Sequence, residues 1–553
     1  MPEIVPAPRW RALAPLSEPT FRMIWFASML ANFGQLVQGV GAAWEMTRLT
    51  DSTSMVALVQ SAMMLPLMLV AVPAGAIADM YDRRKVAMAG LAFSTVSATL
   101  LTILSALGLV TPWILLAFCS LIGTGVAIYS PAWQASIVEQ VQPDHLPAAV
   151  ALGSVSYNIA RSVGPAIGGL IVVAAGAKAA FGINALFYLP LLVAFFAWRR
   201  RHTPSRLPPE RLGRAIISGA RYALHSASVR VVMIRAFLSG AAGASTVALT
   251  PLVARDLLGG DARVYGLLLG ATGVGAVAGA LLVSTVRERL KAEHAVRLCA
   301  LVTGAMFALV GLSHSLWLTM AIMMIGGSAF ILLIALLNVG VQLSAPRWVA
   351  ARALTWYSAA LTGGIAVGAW IWGHVAGEWG ITLAFLVSGA AVALTALVGL
   401  VLPMPRVSLS EVEPAEIQNE PEVALPITAR SGPIAIEIDY RVDPAEARQF
   451  YAVMLRLQRA RQRNGAFDWS LSRDIGDEML WTERYHCPTW SDYLRMRSRF
   501  TRSDRELQDE VNRFNRTTGS ARVRRRLERP FGSVRWRAEV PDPGSETIGI
   551  FPP

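Results

Sequence analysis

Charged side chains are scarce in this chain, so the places where they gather carry the chemistry. Residues 75–85, GAIADMYDRRK, crowd Asp79, Asp82, Arg83, Arg84 and Lys85 between two long apolar runs. Arg and Lys at the end of an apolar segment anchor topology, which accounts for Arg83, Arg84 and Lys85. Asp79 asks for more. A carboxylate at the end of an apolar helix loses solvation and needs a helix N-terminus or a guanidinium as partner. Gly75, one turn earlier, admits the close approach of another helix. Together these residues read as a charge contact that can be made and broken, not as a bond-making site.

Arg161 lies inside a second apolar run, at NIARSVGPAIGGL (158–170). A charge there is expensive and marks function. It binds an anionic substrate, pairs with a carboxylate, or snorkels towards the cytoplasmic surface. Proton coupling needs a carboxylate that titrates in a low-dielectric setting. No acid occupies the middle of an apolar run. Glu45, near the end of the first run, is the candidate, and interfacial pairing with Arg48 is its alternative. Asn32, Gln35 and Gln38 share one helical face; Gln134, Asn158, Asn338 and Gln342 are polar within later runs, and Trp133 and Trp356 offer stacking surfaces. Each is a cavity lining or a helix–helix hydrogen bond. The phosphate-cradling pattern GxxxxGK[ST] is absent, which argues against an ATP-driven pump. Cys119, Cys299 and Cys487 are scattered without metal-like spacing, so free thiols, no metal and no cofactor are expected.

The elements that position these residues follow from composition. Of 553 residues, 54% are hydrophobic and 16% charged, against about 25% charged in a soluble domain. Residues 54–78 carry no charge, and about 20 apolar residues span a bilayer. Twelve such spans are expected, at 21–47, 54–78, 86–108, 113–138, 148–174, 180–198, 231–254, 264–286, 293–312, 316–342, 350–374 and 381–403. One set of connections holds Arg83, Arg84 and Lys85, the Arg cluster from Arg199 to Arg214, then Arg287, Arg289, Lys291 and Arg347; the other holds few cations. The positive-inside bias puts the first set and both termini in the cytoplasm. This bias accounts for much of the net charge of +13 and leaves nucleic-acid binding as the weaker reading. The N-terminus does not read as a cleaved signal peptide. The connection 199–230 divides the spans six and six, and residues 210–224 alternate charge and apolarity like a surface helix.

The two sets of six show register. Gly75 and Arg83 recur as Gly279 and Arg287 (279 − 75 = 204), LIGTG at 121–125 as MIGGS at 324–328, and Pro143 as Pro346 (346 − 143 = 203). Duplicated halves around a central site are a plan of secondary transporters. On these residues the chain resembles the major facilitator superfamily. GAIADMYDRRK is similar to the signature loop between helices 2 and 3, G-x-x-x-D-[RK]-x-G-[RK]-[RK]. Gly75, Asp79, Arg83 and Arg84 match, Met80 replaces a basic residue, and Asp82 replaces a glycine. The D-R-R ending resembles the branch of siderophore and macrolide exporters. Gly164, Pro165, Gly168 and Gly169 resemble the helix-5 antiporter motif, which implies export. That motif's upstream glycines are Ala151 and Ala160 here. The resemblance spans residues 17–405 and implies gating by the loop, with Gly279 and Arg287 as its second copy. Val283 stands there in place of the acid.

After Pro405 an acidic, Pro-rich linker reaches residue 432. IAIEIDYRV (434–442) alternates as a half-buried strand. DPAE starts a helix with Asp443 as cap and Glu446 completing a box. FDWSL and MLWTERYHC are strands, Thr489 opens a helix carrying Tyr493, Met496 and Phe500, and ARVRRRL is a last strand. The order βαββαβ is ferredoxin-like and resembles the small antibiotic-biosynthesis-type monooxygenases. His486, Trp469 and Trp481 are packing or pocket residues of this domain.

The expected organisation is therefore an all-α membrane protein of twelve helices in two pseudo-repeats with a C-terminal α+β domain. It runs as N-terminus 1–20, first half 21–198, central loop 199–230, second half 231–403, linker 404–432, ferredoxin-like domain 433–527 and tail 528–553. The expected function is export of a small hydrophobic, drug- or siderophore-like molecule across a bacterial inner membrane by proton-coupled alternating access, not enzymatic catalysis. Partners are the substrate, the proton and the bilayer, with self-association through the C-terminal domain. The alternatives are a metabolite importer on the same fold and a ligand-sensing or monooxygenase-like role for the C-terminal domain.

Overall fold

The structure, a computed structural model, describes residues 13–198, 220–346, 349–405, 423–425, 427–516 and 521–528. Long helices account for the first four hundred residues. They are α1 (Pro19–Leu49), α2 (Thr53–Met80), α3 (Arg83–Ala106), α4 (Pro112–Ser136), a 52-residue stretch Leu146–Ala197, α7 (Ala227–Leu252), α8 (Ala262–Arg289), α9 (Ala292–Leu312), α10 (Leu316–Ser344), α11 (Ala350–Trp379) and α12 (Ile381–Val401). The 52-residue stretch breaks at Gly176 (φ 78°, ψ 172°) into α5 (146–175) and α6 (177–197). The twelve expected spans are all helical. Among the described residues ten helices, the unbroken stretch among them, are apolar and long enough to cross a membrane. The polar face of α1 (Asn32, Gln35, Gln38) lowers its apolarity, yet it packs along α5 and α2.

Local chemistry starts these helices. Ser52, Asp82, Thr111 and Asp261 accept hydrogen bonds from the first-turn amides of α2, α3, α4 and α8 at 2.9–3.4 Å, satisfying donors that a helix start otherwise orphans. Two helix breaks occur at glycines of nearly identical conformation: Gly176, and Gly380 (φ 86°, ψ 161°), which caps α12. They lie 204 residues apart (380 − 176 = 204). The starts of α4 and α10, and of the 52-residue stretch and α11, share that offset (316 − 112 and 350 − 146). The duplication expected from sparse residue matches is thus present in the backbone.

Each half packs internally at small residues, α3 on α4 through Gly90 and Gly125, and α9 on α12 through Gly304 and Gly389. Among the described residues two helix pairs bring the halves into close backbone contact. In α5 and α8, the Gly266 and Gly273 positions abut the carbonyls of Pro165 and Arg161; a Cβ on either would lie 2.6 Å from the oxygen. In α2 and α11, Thr53 Oγ1 donates to the Gly373 carbonyl (3.0 Å) and Ser61 Oγ to that of Ala366 (2.7 Å). Under the repeat α2 corresponds to α8 and α11 to α5, so each pair maps onto the other.

The C-terminal domain is a four-stranded antiparallel sheet ordered β2-β3-β1-β4. Its strands are β1 (Ile434–Arg441), β2 (Phe467–Arg473), β3 (Leu480–Cys487) and β4 (Arg522–Leu527). With α13 (Ala447–Asn464) after β1 and helices before β4, this is the ferredoxin-like order. Ile434, Ile436, Ile438 and Tyr440 point into the core against Phe450, Met454 and Leu457 of α13, as the alternation requires. Two details differ from expectation. Asp443 caps a short turn at Pro444–Glu446, and Glu446 pairs with Arg516 (3.0 Å) instead of closing a box. The second helix is two, α14 (Trp490–Ser498) and α15 (Arg502–Arg513). Thr501 and Asp504 form a complete capping box that starts α15 afresh, leaving Phe500 at the break. Of the expected surface helix at 210–224, residues 220–225 are helical and the rest lies outside the described residues, as do most of the N-terminus, linker and tail.

Candidate functional site

A cavity of about 380 Å³ lies where the two helix pairs cross, lined by α1, α2, α5, α7, α8, α10 and α11. Its volume suits a small-molecule site. Walls are mostly apolar, with Phe330 and Tyr265 as rings. Gln35, Gln60, Tyr157, Thr246 and Thr272 supply polar atoms, and Arg161 is the one charged residue of the lining.

Arg161 stands 15 residues from the start of α5 (161 − 146) and 14 from its end (175 − 161). That is roughly 20 Å of helix on either side, so Arg161 lies near the middle of α5. Its backbone is held by the close approach of Gly273. No carboxylate among the described residues pairs with it.

The other candidates divide. Gln35 lines the cavity. Asn32 Nδ2 donates to Ser156 Oγ (3.4 Å), and buried Gln38 accepts from Asn184 of α6, so both tie helices together. Asn158 Nδ2 donates to the Ser154 carbonyl one turn back (2.9 Å), and exposed Gln134 to Ser130 (3.3 Å). Trp133 packs in the first half's core beside Phe21 and Ile137. Asn338, Gln342 and Trp356 are absent from the lining. Glu45 is also outside it and pairs with Arg48 at 3.4 Å. Gln60, Tyr157, Thr246, Tyr265 and Thr272 escaped the sequence reading. Only the rotation of each helix about its axis shows which polar residue faces inward.

Of the expected gating residues, the Asp79 side chain lies outside the described residues. Among the described residues a Cβ at Gly75 would meet nothing within 4 Å, whereas one at Gly279 would meet the Ser328 carbonyl of α10. Arg83 donates to the Ala135 carbonyl (2.8 Å) and to Glu139 (3.1 Å) at the end of α4. Arg84 donates to the carbonyls of Phe195 and Phe196 (2.8 and 2.6 Å) at the end of α6. Ala135, Glu139, Phe195 and Phe196 all belong to the first half. Arg287 is exposed, without an ion pair among the described residues. The helix-5 motif divides: Pro165 lines the cavity, while Gly164 and Gly168 abut Leu36 and Val37 of α1, and Gly169 abuts Ala262 of α8.

A model of the family described as transmembrane secretion effector matches residues 10–531. The chain belongs to this family of major facilitator transporters. The match runs past the expected limit at residue 405 and takes in the ferredoxin-like domain. Similar proteins include a staphyloferrin A transporter of Staphylococcus aureus (strain NCTC 8325 / PS 47), 25% identical over 266 residues, which are 47% of this chain and 66% of the relative. An MFS-type transporter, YfiS, of Bacillus subtilis (strain 168) is 27% identical over 133 residues, 24% of this chain and 31% of the relative. The chain thus matches under two thirds of either relative. Among solved structures, the nucleoside transporter NupG gives a TM-score of 0.57 at 12% identity, covering 70% of this chain and 99% of that one. A bacterial homologue of the lysosomal transporter Spinster, in an inward-facing and unoccupied conformation, gives 0.54 at 13% identity over 69% and 95%. These share the fold.

The ferredoxin-like domain holds a buried ion pair in its core. Arg461 donates to Glu483 (3.1 and 3.4 Å) and to Gln508 (2.7 Å), while Tyr440 and Trp469 donate to the same carboxylate. Burial opposes the Arg461 charge, but Glu483 overrides it and raises its pKa. Every member is partnered, which makes this a core network. His486 Nε2 pairs with Glu528 (2.8 Å), and Trp481 packs on Phe450. Burial pushes the Cys487 thiol up to about 12, the state of an inert core cysteine.

Proposed function

We propose that this transporter exports a small molecule with an apolar body by alternating access, the halves rocking about the α2–α11 and α5–α8 pairs. The observation that carries this is the cavity at their crossing, lined by both halves. A rocking motion at that crossing opens the cavity alternately to each face. The small-residue contacts of Gly266, Gly273 and Gly373 let the backbones pivot at short range. The family description, secretion effector, and the GPxxGG motif support the outward direction. The similar staphyloferrin A transporter supports a small-molecule cargo. The Arg-rich loops support placing their face in the cytoplasm, in a bacterial inner membrane.

Proton antiport, which the superfamily resemblance implies, belongs to this proposal as coupling of the whole cycle; Glu45, paired with Arg48, is a weak carrier for it. Inside-out vesicles from expressing cells test the reading with a panel of fluorescent compounds. Uptake that needs the protein and rises with an inside-acid pH gradient is expected. Uptake solely in right-side-out vesicles would establish the importer instead, and indifference to the gradient would remove proton antiport. Asp79→Asn lowers the rate with normal insertion if the loop gates the cycle.

A further inference from the structure

The cavity carries one charge and no counter-charge. Its polar groups come from α1 (Gln35), α2 (Gln60), α5 (Tyr157, Arg161), α7 (Thr246) and α8 (Tyr265, Thr272), whereas α10 and α11 contribute apolar side chains. No Asp, Glu or His is in the lining. The Arg161 guanidinium is the lining's one cationic group, a planar fork of donors without an acceptor. Thr246 adds a second observation: its residue is 7% exposed and its Oγ1 has no hydrogen-bond partner. A buried hydroxyl left so is costly unless something fills it.

Resting on the transport reading above, we propose that the cargo is a carboxylic acid, its carboxylate held by the Arg161 guanidinium and its apolar or aromatic body lying against Tyr265 and Phe330. A guanidinium fork matches a carboxylate bidentately. One cation balances one negative charge, which favours a monocarboxylate over a phosphate dianion. Gln35, Gln60 and Thr246 supply neutral donors around it. The position of Arg161 adds a consequence: its own carbonyl is where Gly273 of the other half touches α5. Cargo bound there sits on the pivot between the halves. An anion leaving an interior-negative compartment also moves down its electrical gradient. This cargo class therefore supplies a driving force without a titrating acid in the cavity.

The test uses the purified full chain and three xanthene dyes that share one ring body, a carboxylic acid, its methyl ester and its primary amide, with binding read by fluorescence anisotropy. The acid is expected to bind at least about tenfold tighter than the neutral pair, as loss of a charged hydrogen bond implies. Arg161→Gln should erase the preference and Arg161→Lys keep part of it. Gln35→Glu, which places a carboxylate in the same lining with Arg161 intact, should erase it too and covers the case in which Arg161→Gln misfolds. Equal binding of acid and ester by the natural chain, no binding of the acid at millimolar concentration, or a preference that survives both neutralising variants would overturn the proposal. Acid-selective binding without uptake by inside-out vesicles would sink export and leave this inference standing. Uptake of the neutral dyes as fast as the acid would do the reverse.

Discussion

The two halves close the free end of their last helix with the same chemistry from different places. In the first half Arg84, at the start of α3, donates to the last carbonyls of α6, and its neighbour Arg83 binds Glu139 below α4. In the second half the guanidinium comes from Arg235 of α7. It grips Glu293 of α9 at 2.7 and 3.3 Å and donates to the Leu402 carbonyl just beyond α12. Glu293 also accepts from Arg297 (2.9 Å) and from the Met404 amide (2.8 Å). Orphaned carbonyls at a helix end attract a cation in both halves. The difference is burial: the Arg235 side chain is 3% exposed and that of Arg83 is 26%. The Arg235 contact is thus the more deeply buried of the two, while Arg287 stands free of ion pairs among the described residues. On the transport reading proposed above, the more exposed loop contact is the one expected to release during the cycle.

This contrast can be broken by mutation. The largest effect falls on Glu293→Ala, which leaves Arg235 buried without its carboxylate and should cost about 3–5 kcal/mol, read as a marked fall in apparent Tm of the solubilised protein. A Tm like that of the natural chain would show that the clamp is not structural. Next come Gly176→Ala and Gly380→Ala. Neither site has an atom within 4 Å of an added Cβ, so the penalty is backbone strain alone, about 1–3 kcal/mol. Equal Tm shifts would confirm the repeat; a shift at one site alone would limit it to sequence register. Smaller still is Arg83→Ala, worth about 1 kcal/mol as a partly exposed pair, with a transport rate that falls far more than Tm does. A rate that follows stability would deny it a gating part. Arg287→Ala should leave both readouts within error, and a loss of transport there would restore the second copy as a gate.

Much of this architecture was legible beforehand. Spans emerge from runs of apolar residues, and β1 from strict alternation, because both are local patterns that burial on one side or all sides imposes. The repeat was legible from Gly75 and Arg83, although its firmest markers, Gly176 and Gly380, went unread since a glycine's φ is not written in its neighbours. The site was legible only at Gln35, Arg161 and Pro165. Gln38 and Asn32, on the same face of α1, were diverted to Asn184 and Ser156, partners more than a hundred residues away. In the second half Arg235 drew no attention, for its partner Glu293 lies 58 residues on.

The sequence by itself determined how many spans there are, roughly where they begin, that they come in two sets, and that one arginine lies within an apolar run. The tertiary structure decided which polar residues share the cavity with that arginine, and how deeply each cation is buried among its partners. The physical reason is that these helices are apolar around most of their circumference. Hydropathy then says that a helix is buried but not which side faces a neighbour. That facing is set by backbone approach at particular glycines, Gly266 and Gly273 above all, and exists only once two distant segments have packed.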